Sequence, residues 1–225
     1  MNISVRKMVV IFCLLALVTP AAAQFGPGPR PPRVLGVWSP EVGAGAVYSF
    51  EGRNMPKSEL QFAVVGTESF EGKPGHWLEM VMQDPRQGPM VIKTLQVEIG
   101  GEMHVKRMIM QAPGQAPMEF PVDMMQMGRQ SQPQSTDFRD KAEKIGTETI
   151  TTPAGTFDCE HWRSTEGGQT ADVWFTAKAK PYGMVKMTSA EGSMTLVRLV
   201  TDAKTQIKGT PQKFDMQQMM RDRPE

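Results

Sequence analysis

The chain has 225 residues, with 25 Lys and Arg against 24 Asp and Glu. A charge this close to zero supplies no attraction to nucleic acid or to an anionic membrane surface, and the length fits one large domain or two small ones. Of the two cysteines, Cys13 falls inside an N-terminal apolar run, so no disulfide framework is available and a packed core must hold the fold.

The first 23 residues read as an export signal. Arg6 and Lys7 make a basic start, Met8 to Val18 is an unbroken apolar run, and Ala21 and Ala23 stand three and one residues before Gln24. Small residues at those two places predict cleavage after Ala23 and a mature protein in a bacterial periplasm. A membrane-spanning helix needs about 20 apolar residues, so this run is too short for an anchor, and no transmembrane segment is expected after cleavage. Cys13 follows Val10, Ile11 and Phe12 rather than the small residues of a lipidation site. The mature chain carries 23 basic and 24 acidic residues, a formal charge of −1.

Residues 24 to 33 are rich in Pro and Gly and are expected to form a flexible lead-in to a single β-rich domain over residues 34 to 208. Within it, short segments rich in β-branched and aromatic residues alternate with turn residues, which predicts hairpin-linked antiparallel strands. Strands are expected near Gly45 to Gly52, Leu60 to Ser69, His76 to Gln83, Met90 to Ile99 and Met103 to Gln111. Five more are expected near Thr147 to Thr152, Thr156 to Ser164, Thr170 to Lys178, Gly183 to Ser189 and Met194 to Thr201. Leu196 to Val200, apolar on both faces apart from Arg198, predicts a central strand covered on both sides.

Ala112 to Gln134 breaks the rhythm with four prolines and Met118, Met124, Met125 and Met127, and is too long for a turn. A short helical turn is expected through Lys144, capped by Ser135 or Thr136. Over residues 209 to 225, Met216, Met219 and Met220 fall on one face of a short amphipathic helix beginning near Phe214.

Gly146 to Cys159 (GTETITTPAGTFDC), Asp172 to Phe175 (DVWF) and Pro181 to Lys186 (PYGMVK) resemble the repeating core of uncharacterised exported bacterial families, which are similar to the lipoprotein-carrier half-barrels. The resemblance implies a mainly β fold, a strongly curved antiparallel half-barrel sheet of about ten strands with one or two short helices and an apolar cavity.

The chemistry-bearing residues are sparse. His76, His104 and His161 are the only histidines, and no nucleophile elbow or phosphate loop is present. Cys159 and His161 share a strand face but two ligands do not make a zinc site, and Cys159 reads as a buried small apolar residue. An enzyme would need acids such as Glu79 or Asp172 to line a cleft; the expectation is no enzyme and no cofactor.

Methionine is the unusual count, at 19. Flexible, polarizable thioethers make adaptable apolar surfaces, which predicts a binding protein for a lipid-like or other apolar ligand, or for an apolar segment of an envelope protein. Trp77, Met80, Met82, Phe157, Trp174 and Met184 are the candidate lining. The alternative is Cu(I) handling by His104, Met108 and Met110, a soft ligand set that shares a face if Met103 to Gln111 is a regular strand. A third reading is an envelope-assembly module with no small ligand.

Overall fold

A computed structural model describes residues 36–52, 55–84, 88–121, 134–135, 137–166 and 169–214, all within a compact unit spanning Val34–Glu225. The expected signal peptide, the Pro/Gly lead-in, Met124, Met125, Met127 and the helix expected beyond Phe214 lie outside the described residues.

Thirteen strands among the described residues make one antiparallel-dominated, open and curved sheet. In chain order they are β1 (Gly45–Gly52), β2 (Met55–Phe70), β3 (Lys73–Asp84), β4 (Gly88–Ile99), β5 (Glu102–Gln111), β6 (Met118–Phe120), β7 (Gln134–Ser135), β8 (Ala142–Thr152), β9 (Gly155–Glu166), β10 (Gln169–Phe175), β11 (Met184–Ser189), β12 (Gly192–Val200) and β13 (Gln212–Lys213). Across the sheet the order is β13-β6-β5-β4-β3-β2-β1-β12-β11-β10-β9-β8, with β7 also pairing β5. Two runs of hairpins are thus joined where β1 pairs β12. The turns explain the hairpins: Glu71 and Gly72, then Gly100 and Gly101, all adopt positive φ, as a two-residue turn between right-twisted strands requires.

All ten expected strands are present, most of them longer than expected because each hairpin partner recruits flanking residues into its ladder. β6, β7 and β13 are two or three residues long, too short for alternation to reveal. The expected helical turn is a single 3-10 turn, Phe138–Lys141, capped by Asp137, whose carboxylate accepts the Arg139 N–H at 2.9 Å. Ala142 to Lys144 belong instead to β8, because β9 extends far enough to pair with them. Leu196 to Val200 also departs from expectation. β12 is central, but its ladder with β11 covers only Gly192 to Thr195, so Leu199 is 42% exposed.

The larger buried cluster includes Tyr48, Phe62, Tyr182, Met187, Met194 and Leu196, and the Tyr48 hydroxyl donates to the Met184 carbonyl at 2.9 Å. A second, smaller cluster joins Trp77, Leu95, Val97 and Ile109, with Ile207 packed against it. Ile207 comes from the chain after β12, which returns across β3 and β5. There the Thr205 hydroxyl and the Gln206 N–H donate to the buried Glu79 carboxylate at 2.5 and 2.8 Å, and Gln111 exchanges bonds with the Lys208 backbone. Among the described residues no helix is long and apolar enough to cross a membrane.

Candidate functional site

Side chains alternate between the two faces of a strand, and residues opposite each other in an antiparallel ladder share a face. Register therefore assigns every residue of the sheet to one face or the other. On one face, Ala46, Phe62, Met80, Ile92, Met110 and Met118 form a single row from β1 to β6. Neighbouring rows on that face hold Leu60, Met82 and Met90, and Leu78, Thr94, Met108 and Phe120. Burial falls along the main row: Ala46 and Phe62 are core, whereas Met80, Ile92, Met110 and Met118 are half-buried. The apolar face continues past the packed core onto β3–β6.

The other face carries the smaller buried cluster over β3–β5 and a largely polar row beside it. A row His161, Trp174, Lys186, Thr195, Ser49, Glu59 and Gln83 crosses seven strands. The middle of this row, with Glu51 and Ser193, lines a cleft of about 600 Å³. Seven of its ten lining residues carry a hydroxyl, amide or carboxylate, unlike the dry apolar slot expected of a lipid cavity.

At the β9 end of that row, His161 is clamped between two carboxylates: Nδ1 lies 2.8 Å from Glu148 and Nε2 lies 2.8 Å from Asp172. Both ring nitrogens are thus taken up by the clamp. Arg163 also donates to Asp172, at 2.9 Å, and Trp174 Nε1 donates to Glu148 at 3.1 Å. The Trp174 ring stacks on His161 with centroids 4.5 Å apart, and the Lys186 ammonium sits 4.8 Å above the indole. Burial pushes the Asp172 carboxyl up, but hydrogen bonds from Arg163 and His161 outweigh it and hold the group below its ordinary range. Burial, with the nearby Asp158 and Glu148 charges, pushes the Cys159 thiol up to about 11, and the thiol donates to the Phe157 carbonyl. Cys159 is therefore a thiol rather than a thiolate near neutral pH, and His161 has no free ring nitrogen to offer it.

A family model described as a domain of unknown function, DUF4412, matches residues 68–223. The chain belongs to the DUF4412 family. The DUF4412 match takes in the methionine-bearing flank of β3–β6 and the His161 cluster, and leaves out β1 and most of β2. No curated protein matches the chain. Among solved structures, a Bacteroides fragilis protein provisionally named as exported, with a YmcC-like fold, is 15% identical, with 73% of this chain and 99% of that one covered at a TM-score of 0.35. A Parabacteroides distasonis protein provisionally named a lipoprotein is also 15% identical, with 72% and 97% covered at 0.36. Likenesses this weak bear on neither fold nor role.

The candidate lining divides. Met80 and Met82 lie on the apolar face. Trp77 lies on the opposite face of β3, in the smaller cluster. Phe157, Trp174 and Met184 are buried in the larger cluster; register puts Phe157 and Trp174 on the face opposite Met80, whereas Met184, paired with Phe175 past a bulge in the β10–β11 ladder, lies on the Met80 side. The six do not line one cavity. The lining residues missed were Met90, Ile92 and Met118, with Met110 placed in the copper set instead; only the ladder registers put them in line with Met80 and Met82.

The copper set divides too. The β4–β5 ladder steps from Leu95 opposite Arg107 to Gln96 opposite Val105, leaving Lys106 as a bulge. The extra residue inverts the alternation. His104, opposite Val97, consequently lies on the face away from Met108 and Met110. No group of three or more His, Cys, Asp or Glu side chains among the described residues is placed to hold a metal ion. Of the two acids singled out in the sequence, Glu79 anchors the returning C-terminal chain and Asp172 clamps His161.

Proposed function

We propose that this DUF4412 protein is a non-enzymatic binding protein of the bacterial periplasm that holds an apolar ligand, an acyl chain or a comparable lipid moiety, on the methionine-bearing face of β3–β6. The observation that carries the reading is the row Met80, Ile92, Met110 and Met118, half-buried and in register, which runs outward from the packed core that Met80 adjoins. Unbranched thioether side chains adapt to a flexible chain, and each buried methylene of that chain contributes about 0.8 kcal/mol, so such a surface needs few polar contacts to bind well. The basic, apolar and small-residue segments of the first 23 residues support export to the periplasm. The thiol state of Cys159 and the double clamp on His161 support a role without catalysis.

A fluorescent acyl probe titrated into the mature protein tests this. The wild type is expected to bind the probe, and Ile92→Asp or Met110→Asp to weaken binding at least tenfold while circular dichroism keeps its β signature. Glu59→Gln, in the polar cleft, is expected to leave affinity unchanged. A wild type that binds no probe, or binding indifferent to both aspartates, overturns the proposal.

A further inference from the structure

We infer that the ligand taken by this face is an uncharged amphiphile, its tail along the methionine row and a hydroxyl-bearing head at Thr94 and Gln96. The inference rests on the reading proposed above and adds the nature of the head group.

Its basis is where the charges of β3–β6 lie. Glu79, Lys93, Ile109 and Glu119 form one row on the opposite face, and Arg107 stands opposite Leu95 on that same side. There the Arg107 guanidinium binds Glu119 and Glu68 at 2.6 and 2.7 Å, and its carbon lies 5.2 Å from the Trp77 ring centroid. Lys106, at the bulge, holds its ammonium 5.6 Å over Phe70, a ring of the smaller cluster. Among the described residues of β3–β6, the rows of the apolar face hold no Lys or Arg. Among the described side chains of these strands, its charged position is one acid at a hairpin end, Glu98 opposite Met103.

An anionic head brought onto such a surface loses water, meets no counter-charge and is repelled by Glu98. A neutral polar head finds better partners. The row after Thr94 holds His76, Gln96 and Val105. The Gln96 amide nitrogen donates to the Thr94 hydroxyl at 3.0 Å, which leaves the amide oxygen to accept from a ligand and the hydroxyl hydrogen to donate to it. Burial holds the His76 imidazole below its ordinary value, so the imidazole brings no charge to this row at physiological pH.

The test compares three probes of one tail length on the mature protein: a monoacylglycerol, a fatty acid and an alkylammonium. The monoacylglycerol is expected to bind at least tenfold more tightly than either charged probe, and Gln96→Lys to reverse the order of monoacylglycerol and fatty acid. Binding of the fatty acid or the alkylammonium as tight as that of the monoacylglycerol overturns this inference and leaves the acyl-binding reading standing. Failure of all three to bind overturns both.

Discussion

Replacing Glu79 by alanine is expected to lower stability by about 2–4 kcal/mol and to free the chain after β12 from the sheet. Glu79 is 1% exposed, and its carboxylate receives the Thr205 hydroxyl and the Gln206 N–H. Removing an acceptor from a buried site costs the desolvation of each donor left behind, typically about 1–3 kcal/mol each, and Thr205 regains part of its share from water. Lys93 stands opposite Glu79 in the ladder, with its ammonium 4.8 Å from the Trp77 ring centroid, and loses a neighbouring opposite charge. Ile207 leaves the smaller cluster when its tether goes. Urea unfolding measures the first effect and limited proteolysis the second, with new cleavage expected between residues 203 and 210. Glu79→Gln keeps one acceptor oxygen and is expected to fall between wild type and alanine. Unchanged protease resistance in the alanine variant refutes the anchoring role.

The second large effect is expected at His161. Its side chain is 9% exposed and ties β8 to β10 through Glu148 and Asp172. Alanine removes both bonds and the stack on Trp174, leaving two carboxylates facing a cavity. Loss of one partner from a buried pair costs about 3–5 kcal/mol. Glu148 is about half exposed and recovers solvation, so roughly 2 kcal/mol is expected here. His161→Phe keeps the ring stack and loses the bonds, so the difference between the two variants separates stacking from ion pairing. The pH dependence follows from Asp172. A carboxyl held low in the folded state adds stability that is present above its unfolded pKa and lost as pH falls through its folded value. Without the imidazole that carboxyl rises toward its ordinary range, so the acid-unfolding midpoint is expected to move to higher pH. A midpoint unchanged in both variants rules out the clamp as a contributor to stability.

Much of the sheet was legible in the amino-acid order, because period-two alternation and turn residues act locally. Gly100-Gly101 announces a hairpin without reference to the rest of the chain, the glycines of Gly72 to Gly75 announce another whose turn falls at Glu71-Gly72, and Met80 with Met82 announces an apolar face. The site was legible only in part, because it is assembled across ladders. Met80, Ile92, Met110 and Met118 form a row only once three registers are known, and one bulge residue, Lys106, turns His104 away from the methionines. The carboxylates of Glu148 and Asp172 reach His161 from strands on either side of it. The bond between Glu79 and Thr205 joins β3 to a stretch that follows the last long strand, a contact that no local pattern encodes.

The seam between the two hairpin runs has a cost in time. Gly45 meets Val200, so β1 leaves the ribosome long before its second neighbour exists, and one of its rims stays bare until β12 is made. Closing so long a loop is slow, and an unpaired strand rim is a template for stray chains. The two rims can therefore find each other only once the polypeptide as far as Val200 is available.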